Sequence, residues 1–394
     1  MGLMNEYIER RLSATDLQSE LQKLISKYNG LRDTYTIVYS TAIGKPIPIP
    51  DLSLSQDDYY IIHDLLNEVD SSSLDFYIET PGGSAEAGEE IVECLRNNFE
   101  KVSFIVTGEA KSAGTIMVLS GDEIIMTQTG SLGPIDAQVR IGRSIVSAFD
   151  YIEWTDSKRE EAGEIGRLNA FDATMIAQIS PGELSGVYNA LKYAEDLVIE
   201  WLVKYKFKSW TVTETRKIPV TEDMKAQRAR EIVNELINHA KWRTHGRSIK
   251  AVDLDTMGLK ITRAENNPEL NDVVLRIQTV CRLLFSSSDI YKIFATEKNR
   301  IVKRAFPVSV TQQKIPTGAI PEVAELETKC PQCGKVHKLY VKFVDNPKID
   351  KNFQQKGCIA FPKDNKLKCD CGYEIDLGGV RNDIESKVGK KLVT

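Results

Sequence analysis

The sequence predicts an α/β fold of stacked βαβ units with a mainly parallel sheet, followed by a small β-type domain. Strand-like and helix-like patterns alternate between residues 34 and 130, which is the arrangement that builds parallel sheets. Five of the seven cysteines fall within the last 65 residues, which is typical of a small metal-stabilised module. The proline-containing stretch 306–324 lies between these two regions and predicts a linker.

The overall composition is that of an ordinary globular protein. The chain has 394 residues, which predicts two or three domains. Hydrophobic residues make up 42% and charged residues 27%, so a buried core needs no additional cross-links. The net charge of −5 gives no general attraction to nucleic acid or anionic lipid. Because the sequence contains no apolar run of about 18 residues and no apolar leader, it predicts a cytoplasmic protein without a membrane span.

The individual elements follow from the spacing of apolar residues. An amphipathic pattern over residues 3–30 predicts a first helix, which packs either on its own domain or on a partner subunit. Runs rich in β-branched and aromatic residues predict strands at 34–41, 74–80, 101–108 and 122–130, and a last short strand within 254–262. Helical spacing predicts helices at 55–69, 84–99, 112–121, 183–207 and 222–240, and through 266–305.

These elements predict four segments. They are an N-terminal amphipathic helix (1–30), an α/β domain (31–265), a helical extension with a linker (266–324) and a cysteine-containing β-type module (325–380).

A glycine pair follows the second predicted strand. The strand ends before Pro81-Gly82-Gly83, and the next helix begins at Ser84. Glycines allow a sharp turn and can leave backbone N–H groups facing outward, where they can stabilise an oxyanion. An ordinary βα turn without a catalytic role explains the same residues equally well.

A serine opens the helix that follows the third predicted strand. Ser112 has the small neighbours Ala110, Ala113 and Gly114. Its hydroxyl is expected at a helix N-terminus, where the helix dipole favours a developing negative charge. This position predicts a nucleophile, although an N-cap serine explains it as well.

Three segments in this order resemble motifs of a known superfamily. Residues 78–84, Ile-Glu-Thr-Pro-Gly-Gly-Ser, are similar to the oxyanion turn of the ClpP/crotonase fold, and residues 110–115, Ala-Lys-Ser-Ala-Gly-Thr, are similar to its nucleophile turn. Residues 130–136, Gly-Ser-Leu-Gly-Pro-Ile-Asp, resemble a loop of signal peptide peptidase A and its relatives. The motifs SAGT and LGPID at this spacing resemble those of the serine dehydrogenase proteinase family, and the resemblance covers about residues 31–265.

The resemblance implies a ClpP/crotonase-like fold and a serine peptidase that hydrolyses peptide bonds in proteins or peptides. Ser112 would be the nucleophile, and the backbone N–H groups of Gly83 and Ala113 would hold the oxyanion. Asp136 is either a third catalytic member or a carboxylate that accepts backbone N–H groups of its own loop. Because the fold usually forms rings or stacked assemblies, a homo-oligomer is expected.

Two other functions are compatible with the same fold. One is a catalytically inactive oligomeric scaffold or binding module, which the missing triad histidine leaves open. The other is acyl-CoA chemistry of the crotonase kind, which the SAGT and GPID motifs disfavour.

The general base is less directly indicated than the nucleophile. None of the four histidines follows Ser112 at the distance seen in ClpP. A lysine can act as the base when burial lowers its pKa, and Lys192 lies in a helix with an apolar face that could desolvate it. Lys158, in a more highly charged run, and His245 are the alternatives. Lys111 is expected to point away from Ser112.

The C-terminal cysteines have the spacing of a zinc ribbon. Cys330-x2-Cys333-Gly and Cys369-x-Cys371-Gly are two knuckles, each of which directs two thiolates to one point. Four thiolates suit a structural, tetrahedral Zn²⁺ ion, and a module with so thin a core needs such a staple. One of these ligands could be replaced by another residue of the module, Cys358 or His337.

The role of this module is open at the level of sequence. A rigid domain that docks on a partner protein is the simplest interpretation. Lysines and aromatic residues occur throughout the module, and this composition is compatible with nucleic-acid binding. Acidic residues are interspersed among them, so nucleic acid is not the expected partner.

Overall fold

The computed structural model describes residues 2–45, 52–67, 69–135, 138–141, 144–242, 246–305, 311–312, 322–388 and 390–393. The chain divides into two units, Met1–Ala305 and Phe306–Thr394. The first unit contains the α/β sheet, and the second contains the clustered cysteines.

The first unit alternates strands and helices along most of its length. Its strands are β1 (Tyr35–Thr41), β2 (Ser73–Glu79), β3 (Lys101–Val106), β4 (Glu109–Ala110), β5 (Glu123–Met126), β6 (Ser131–Leu132), β7 (Gln138–Ile141), β8 (Ser144–Ser147), β9 (Thr262–Arg263), β10 (Ile290–Ala295) and β11 (Arg300–Arg304). Its helices are α1 (Leu3–Glu9), α2 (Ala14–Arg32), α3 (Gln56–Leu65), α4 (Ala85–Asn98), α5 (Ala113–Leu119), α6 (Ala148–Ile165), α7 (Ala170–Ile176), α8 (Pro181–Trp201), α9 (Glu222–Ile237), α10 (His239–Trp242), α11 (Ala251–Thr256) and α12 (Pro268–Ser287). A π-helical turn at Leu202–Lys206 continues α8, and a 3-10 turn at Ala264–Asn266 precedes α12.

A seven-stranded sheet forms the centre of this unit, in the order β11-β10-β1-β2-β3-β5-β9. The five strands from β1 to β9 in this order run parallel to one another. The hairpin of β10 and β11 extends the sheet in the antiparallel sense beside β1. Both faces of the parallel strands are buried, which explains their nearly continuous apolar sequences. The predicted α/β fold with a mainly parallel sheet is confirmed.

Helices cover the two faces of the sheet. On one face, α2 and α12 pack against strand residues such as Val38 and Tyr77. On the other face, α4, α5, α8 and α9 pack against Ile37 and Phe76, the sequence neighbours of those residues. Consecutive strand residues alternate between the faces, so one strand supplies both cores. Among the helices that the structure describes, none combines the length and apolar character that a bilayer crossing requires.

The N-terminal segment packs on its own unit. It consists of two helices rather than one, because Ser13 and Asp16 form a capping box that begins α2 anew. Leu21 and Ile25 of α2 are buried in the same core as α12. A contact with a partner subunit is therefore not needed to bury the apolar face of this segment.

The prediction of helix through 266–305 is correct for α12 and wrong beyond it. Residues 290–304 form the β10–β11 hairpin, whose first strand is buried on both faces. A continuous apolar run of this length fits a buried strand and a buried helix equally well, so periodicity did not separate them. Because β10 pairs with β1, the segment belongs to the α/β unit rather than to an extension of it.

The topology brings the two motif-bearing turns together. β2 ends at Glu79, directly before the Pro81 turn, and β3 leads through β4 to Ser112. Residues at the carboxyl ends of neighbouring parallel strands meet at one edge of a sheet. A bridge between Thr80 and Ala110 joins the two turns there, with Thr80 N–H donating to Glu109 O at 2.8 Å and Lys111 N–H to Thr80 O at 3.0 Å.

The second unit is a small β-type domain. Its elements are β12 (Thr311–Gln312), β13 (Val323–Lys329), β14 (Val336–Lys342), α13 (Pro347–Gln355), β15 (Ile359–Ala360), β16 (Lys366–Lys368), β17 (Glu374–Asp376) and α14 (Gly378–Val388). The strands form a four-stranded sheet, β12-β13-β14-β15, and a separate β16–β17 hairpin. Leu326, Leu339, Phe343 and Leu377 contribute to a core that also contains two of the clustered cysteines.

Candidate active site

Ser112 occupies a strained corner between β4 and α5. Its φ of 50° and ψ of −118° are unusual for a residue with a side chain. The backbone is fixed on the helix side by Gly114 N–H, which donates to Lys111 O at 2.8 Å, and by Ile116 N–H, which donates to Ser112 O at 3.1 Å. Although Ser112 stands at the N-cap position, its side chain caps no amide of α5. The ordinary N-cap interpretation of this serine is therefore wrong.

Gly82 allows the close approach of the two turns. Its φ is +106°, and a Cβ atom there would lie 2.7 Å from the Ser112 Cβ and 2.9 Å from the Lys111 carbonyl oxygen. Its N–H group donates to Thr80 Oγ1 at 3.2 Å. A glycine is required at this position both for its backbone conformation and for the space it leaves to Ser112.

Gly83 presents its amide to the same region. Leu54 N–H donates to Gly82 O at 2.7 Å, and Ser84 N–H donates to Leu54 O at 3.0 Å. In a parallel ladder these bonds leave the N–H group of the intervening Gly83 on the opposite side, away from Leu54. Ala113 is the first residue of α5, so its N–H group has no partner within the helix. No residue in the described ranges accepts a hydrogen bond from either amide.

These groups surround one cavity of ≈ 380 Å³. Ser112, Gly83 and Ala113 all line it, so the predicted nucleophile and the two predicted oxyanion donors are brought together. Glu86 and Tyr193 are the titratable side chains among the lining residues that the structure describes. Tyr193 donates to Glu89 Oε2, and burial together with this bond raises the pKa of its phenol.

The prediction that Lys192 is desolvated is wrong. Its side chain is 50% exposed, and its Nζ lies 3.0 Å from Glu195 Oε2. The hydrogen bond to this carboxylate raises the pKa of Lys192, which is opposite to what a general base requires. Its helix does reach the cavity, but through Ala190, Tyr193 and Ala194 rather than through Lys192.

The alternative lysine, Lys158, does not line the cavity of Ser112 either. Its Nζ pairs with Glu161 at 2.7 Å and with Asp172 at 2.9 Å. The hydrogen bonds to these carboxylates raise the pKa of Lys158, so the ammonium form is stabilised. His245 and Asp136, the other residues considered at this site, lie outside the described residues.

Lys111 points away from the cavity, as predicted. Its Nζ donates to Leu132 O at 3.0 Å, to Arg247 O at 3.1 Å and to Ser248 Oγ at 3.2 Å. Burial lowers the pKa of this ammonium group. Because its ammonium group donates to three acceptors, Lys111 connects the nucleophile turn to the segments that contain Leu132 and Arg247 instead of serving as a base.

Thr115 helps to shape the site, although no role for it is predicted from the sequence. Its Oγ1 accepts from Gly133 N–H at 2.9 Å and lies 2.8 Å from Ala110 O. The hydroxyl therefore ties the nucleophile turn to the loop that carries the Gly-Pro-Ile-Asp motif. The threonine of SAGT was the available signal, because a hydroxyl in a buried helix needs a hydrogen-bond partner.

We expect Gly82→Ala to slow the reaction of Ser112 with a fluorophosphonate by about a hundredfold, because small displacements of a reacting group have effects of this size. The added methyl group would overlap Ser112 and Lys111, so the two turns must separate. Gly44→Ala is the matched control, since Gly44 also has a positive φ, +79°, but a Cβ there would meet nothing within 4 Å. Equal labelling rates for the two variants would contradict the requirement for a glycine at position 82.

The four predicted cysteine ligands form a cluster in the second unit. The Sγ atoms of Cys330, Cys333, Cys369 and Cys371 all lie within 4.8 Å of one another. The Sγ atoms of Cys330 and Cys371 are 3.6 Å apart, and those of Cys333 and Cys369 are 3.5 Å apart. A tetrahedral Zn²⁺ with Zn–S bonds of about 2.3 Å separates its sulfurs by roughly 3.8 Å. The cluster therefore fits a tetrahedral thiolate-bound metal ion.

In both knuckles the glycine after the second cysteine bonds back to the first cysteine. Gly334 N–H donates to Cys330 O at 2.9 Å, and Gly372 N–H donates to Cys369 O at 2.9 Å. The two glycines have φ values of +76° and +89°, which a glycine adopts without strain. The alternative ligands Cys358 and His337 are not part of the sulfur cluster.

The segment that carries the glycine pair and Ser112 is similar to known proteins. Residues 31–162 match the family model described as ClpP-like SDH-type serine proteinase. Over 93 residues the chain is 33% identical to the uncharacterized protein MJ1495 and 31% identical to the uncharacterized protein MJ0137, both from Methanocaldococcus jannaschii. Each match covers 24% of this chain and 32% of the relative, so the chain spans about a third of these relatives' length.

Among solved structures, a mutant of the membrane-bound stomatin-specific protease 1510-N aligns with 14% identity over 56% of this chain and 79% of that chain, with a TM-score of 0.32. A mutant of ClpP1 from Listeria monocytogenes aligns with 13% identity over 62% of this chain and 99% of that chain, with a TM-score of 0.31. The family match agrees with the order of the motifs around Gly83 and Ser112. Over residues 31–162, about a third of its length, the chain is similar to the ClpP-like SDH-type serine proteinases.

Proposed function

We propose that the first unit is a serine peptidase that hydrolyses peptide bonds in protein or peptide substrates, with Ser112 as its nucleophile. The observation that carries this proposal is the strained corner of Ser112. Its hydroxyl caps no amide of the helix, and Ser112 lines a cavity together with Gly83 and Ala113. The family match over residues 31–162 supports the same reaction class.

The proposed reaction has two halves. Ser112 Oγ attacks the substrate carbonyl carbon, its proton passes to a base, and the carbonyl oxygen becomes an oxyanion that the Gly83 and Ala113 amides stabilise. The intermediate collapses by breaking the C–N bond, and the leaving amine takes the proton from the base. Water then hydrolyses the acyl-enzyme by the same steps and regenerates the serine.

We propose His245 as the base in place of Lys192. His245 is close in sequence to Arg247, whose carbonyl oxygen accepts from Lys111, the neighbour of Ser112. Ile249 lies in a bridge with Leu132, which also accepts from Lys111. These contacts hold Arg247 and Ile249 next to the nucleophile turn, and His245 precedes Arg247 by two residues in the sequence.

His245→Ala is expected to reduce the labelling rate of Ser112 by about a hundredfold or more, whereas Lys192→Ala stays within about twofold of the unsubstituted chain. A histidine base also predicts that labelling weakens as the pH falls below about 6.5, because the imidazolium form cannot accept a proton. The rate is followed from pH 5 to 10 for each variant. Loss of labelling in Lys192→Ala, together with a transition above about pH 8, would contradict this assignment.

We also propose that the sulfur cluster of the second unit holds a structural Zn²⁺ ion and that the chain forms a homo-oligomer. Four thiolates in a closed tetrahedral arrangement leave no coordination position for a substrate, which favours a structural ion over a catalytic one. The second unit is then a candidate docking domain for a partner protein.

A non-catalytic scaffold is the second candidate function. The observation in its favour is that no lysine or histidine lines the Ser112 cavity among the residues the structure describes. A fluorophosphonate probe separates the two functions: covalent addition mapped to the peptide containing Ser112, together with cleavage of an unfolded protein substrate, supports the peptidase. A folded, assembled chain that neither reacts nor cleaves supports the scaffold.

A further inference from the structure

The position of the Gly83 amide depends on the short segment Ser53–Ser55. Leu54 is bonded to Gly82 and Ser84 on either side of Gly83, as described above. The contact is close, since a Cβ on Gly83 would lie 2.4 Å from both Leu54 N and Leu54 O. Any shift of Leu54 would therefore be transmitted to Gly83. Ser53 itself lines the Ser112 cavity.

A buried group of charges holds this segment. Lys292 Nζ, on β10, donates to Ser53 O at 2.7 Å and to Asp58 Oδ2 at 2.7 Å. The Asp58 carboxylate also accepts from Ser55 N–H at 3.1 Å, from Tyr39 OH at 3.1 Å, and from the ammonium group of Lys303 at 2.8 Å. The ion pair of Lys292 and Asp58 thus contacts the segment on both sides of Leu54.

The burial of this pair requires an explanation other than stability. Lys292 is 1% exposed and Asp58 is 0% exposed. Removing two charges from water costs several kcal/mol per ion, and well-packed apolar side chains often stabilise a core as well or better. A charged pair does, however, fix the directions of several hydrogen bonds at once, which apolar side chains cannot do.

We propose that Lys292 and Asp58 are positioning residues that hold the Gly83 amide beside Ser112 by fixing the backbone of Ser53–Ser55. Neither residue lines the cavity, so neither is catalytic. The inference rests on the proposed oxyanion role of Gly83, but the mechanical part of it can be measured without any catalytic activity.

The test is Lys292→Met, which keeps the length of the side chain and removes its ammonium group. Asp58 remains paired with Lys303 in this variant. Hydrogen–deuterium exchange of the full chain is followed in peptides that contain the bonded amides of Leu54 and Ser84, with peptides from α12 as an internal reference. We expect exchange at Leu54 and Ser84 to become at least tenfold faster while α12 is unchanged.

Lys303→Met is the matched control. It removes a cation from the same carboxylate but leaves the bond from Lys292 to Ser53 O in place, so exchange at Leu54 and Ser84 should stay within about twofold of the unsubstituted chain. Fluorophosphonate labelling of Ser112 is measured on the same samples. Removing one oxyanion donor lowers a catalytic rate by about 10²–10³-fold. Lys292→Met would displace the Gly83 donor without removing it, so we expect a smaller reduction in the labelling rate, of about tenfold or more.

Unchanged exchange in Lys292→Met would overturn the proposal, as would faster exchange with an unchanged labelling rate. If the unsubstituted chain is not labelled at all, the proposed peptidase function fails, and the exchange measurement alone decides whether Lys292 fixes the Gly83 turn. If Lys292→Met does not fold, Asp58→Glu takes its place with the same measurements, because it keeps the charge and displaces the carboxylate by one methylene group.

Discussion

Ser112→Ala is expected to eliminate covalent addition of a fluorophosphonate and to lower the rate of peptide hydrolysis by on the order of 10⁵–10⁶-fold. The reason is that the substitution removes the oxygen atom that forms the acyl-enzyme in the proposed mechanism and leaves the backbone of the site in place. Ser112 is half-buried, and its Oγ caps no amide of α5. The labelled mass of the intact protein and the cleavage of an unfolded protein substrate measure the two effects.

Ser120→Ala is the matched control for this experiment. Ser120 lies at the other end of α5, and its buried hydroxyl donates to Met117 O at 2.6 Å. The control variant removes a serine hydroxyl from the same helix without touching the cavity, so labelling and hydrolysis should persist. Hydrolysis by Ser112→Ala at the rate of Ser120→Ala would exclude Ser112 as the nucleophile.

Cys369→Ala is expected to release one Zn²⁺ ion per chain and to unfold the second unit. Metal binding by such a cluster contributes about 10–16 kcal/mol to the folding of a small domain. The core of this unit includes Cys330 and Cys369 themselves, so loss of the ion would also loosen the apolar contacts around them. Zinc content by elemental analysis and deuterium exchange across residues 322–388 measure both effects.

Cys358→Ala is the matched control for the metal site. Cys358 is buried beside Tyr340, Ile349 and Phe353, in a second small core apart from the sulfur cluster. Its replacement removes a thiol from the same unit and should leave the zinc content unchanged. A chain that keeps its fold and contains no zinc, with all four clustered cysteines intact, would contradict the assignment of a structural ion.

The sequence was sufficient to predict the parts of the site that depend on the parallel direction of neighbouring strands. Once the alternation of strands and helices indicated parallel strands, the Pro81 turn and Ser112 had to meet at one edge of the sheet. The knuckles around Cys330 and Cys369 were equally accessible, because cysteine spacing and a following glycine define a local turn. Each of these features depends on residues close together in sequence or on a general rule of sheet topology.

The predictions that were wrong, and the contacts that were not predicted, depend on long-range packing. The helix of Lys192 is amphipathic. At 3.6 residues per turn, however, position 192 lies about 160° around the helix axis from positions 190 and 194, which face the cavity. The sequence of β10 fits either a helix or a strand, and only its pairing with β1 distinguishes the two. The contacts of Lys292 with Ser53 and Asp58 join residues more than 200 positions apart, which no local pattern encodes.

The side chain of Lys111 makes the nucleophile turn dependent on a distant part of the chain. Its bond to the Arg247 carbonyl spans 136 positions. During synthesis, the turn bearing Ser112 would leave the ribosome well before this acceptor does. In a nascent chain, the ammonium group of Lys111 would therefore lack the Arg247 acceptor until that later segment has emerged and docked.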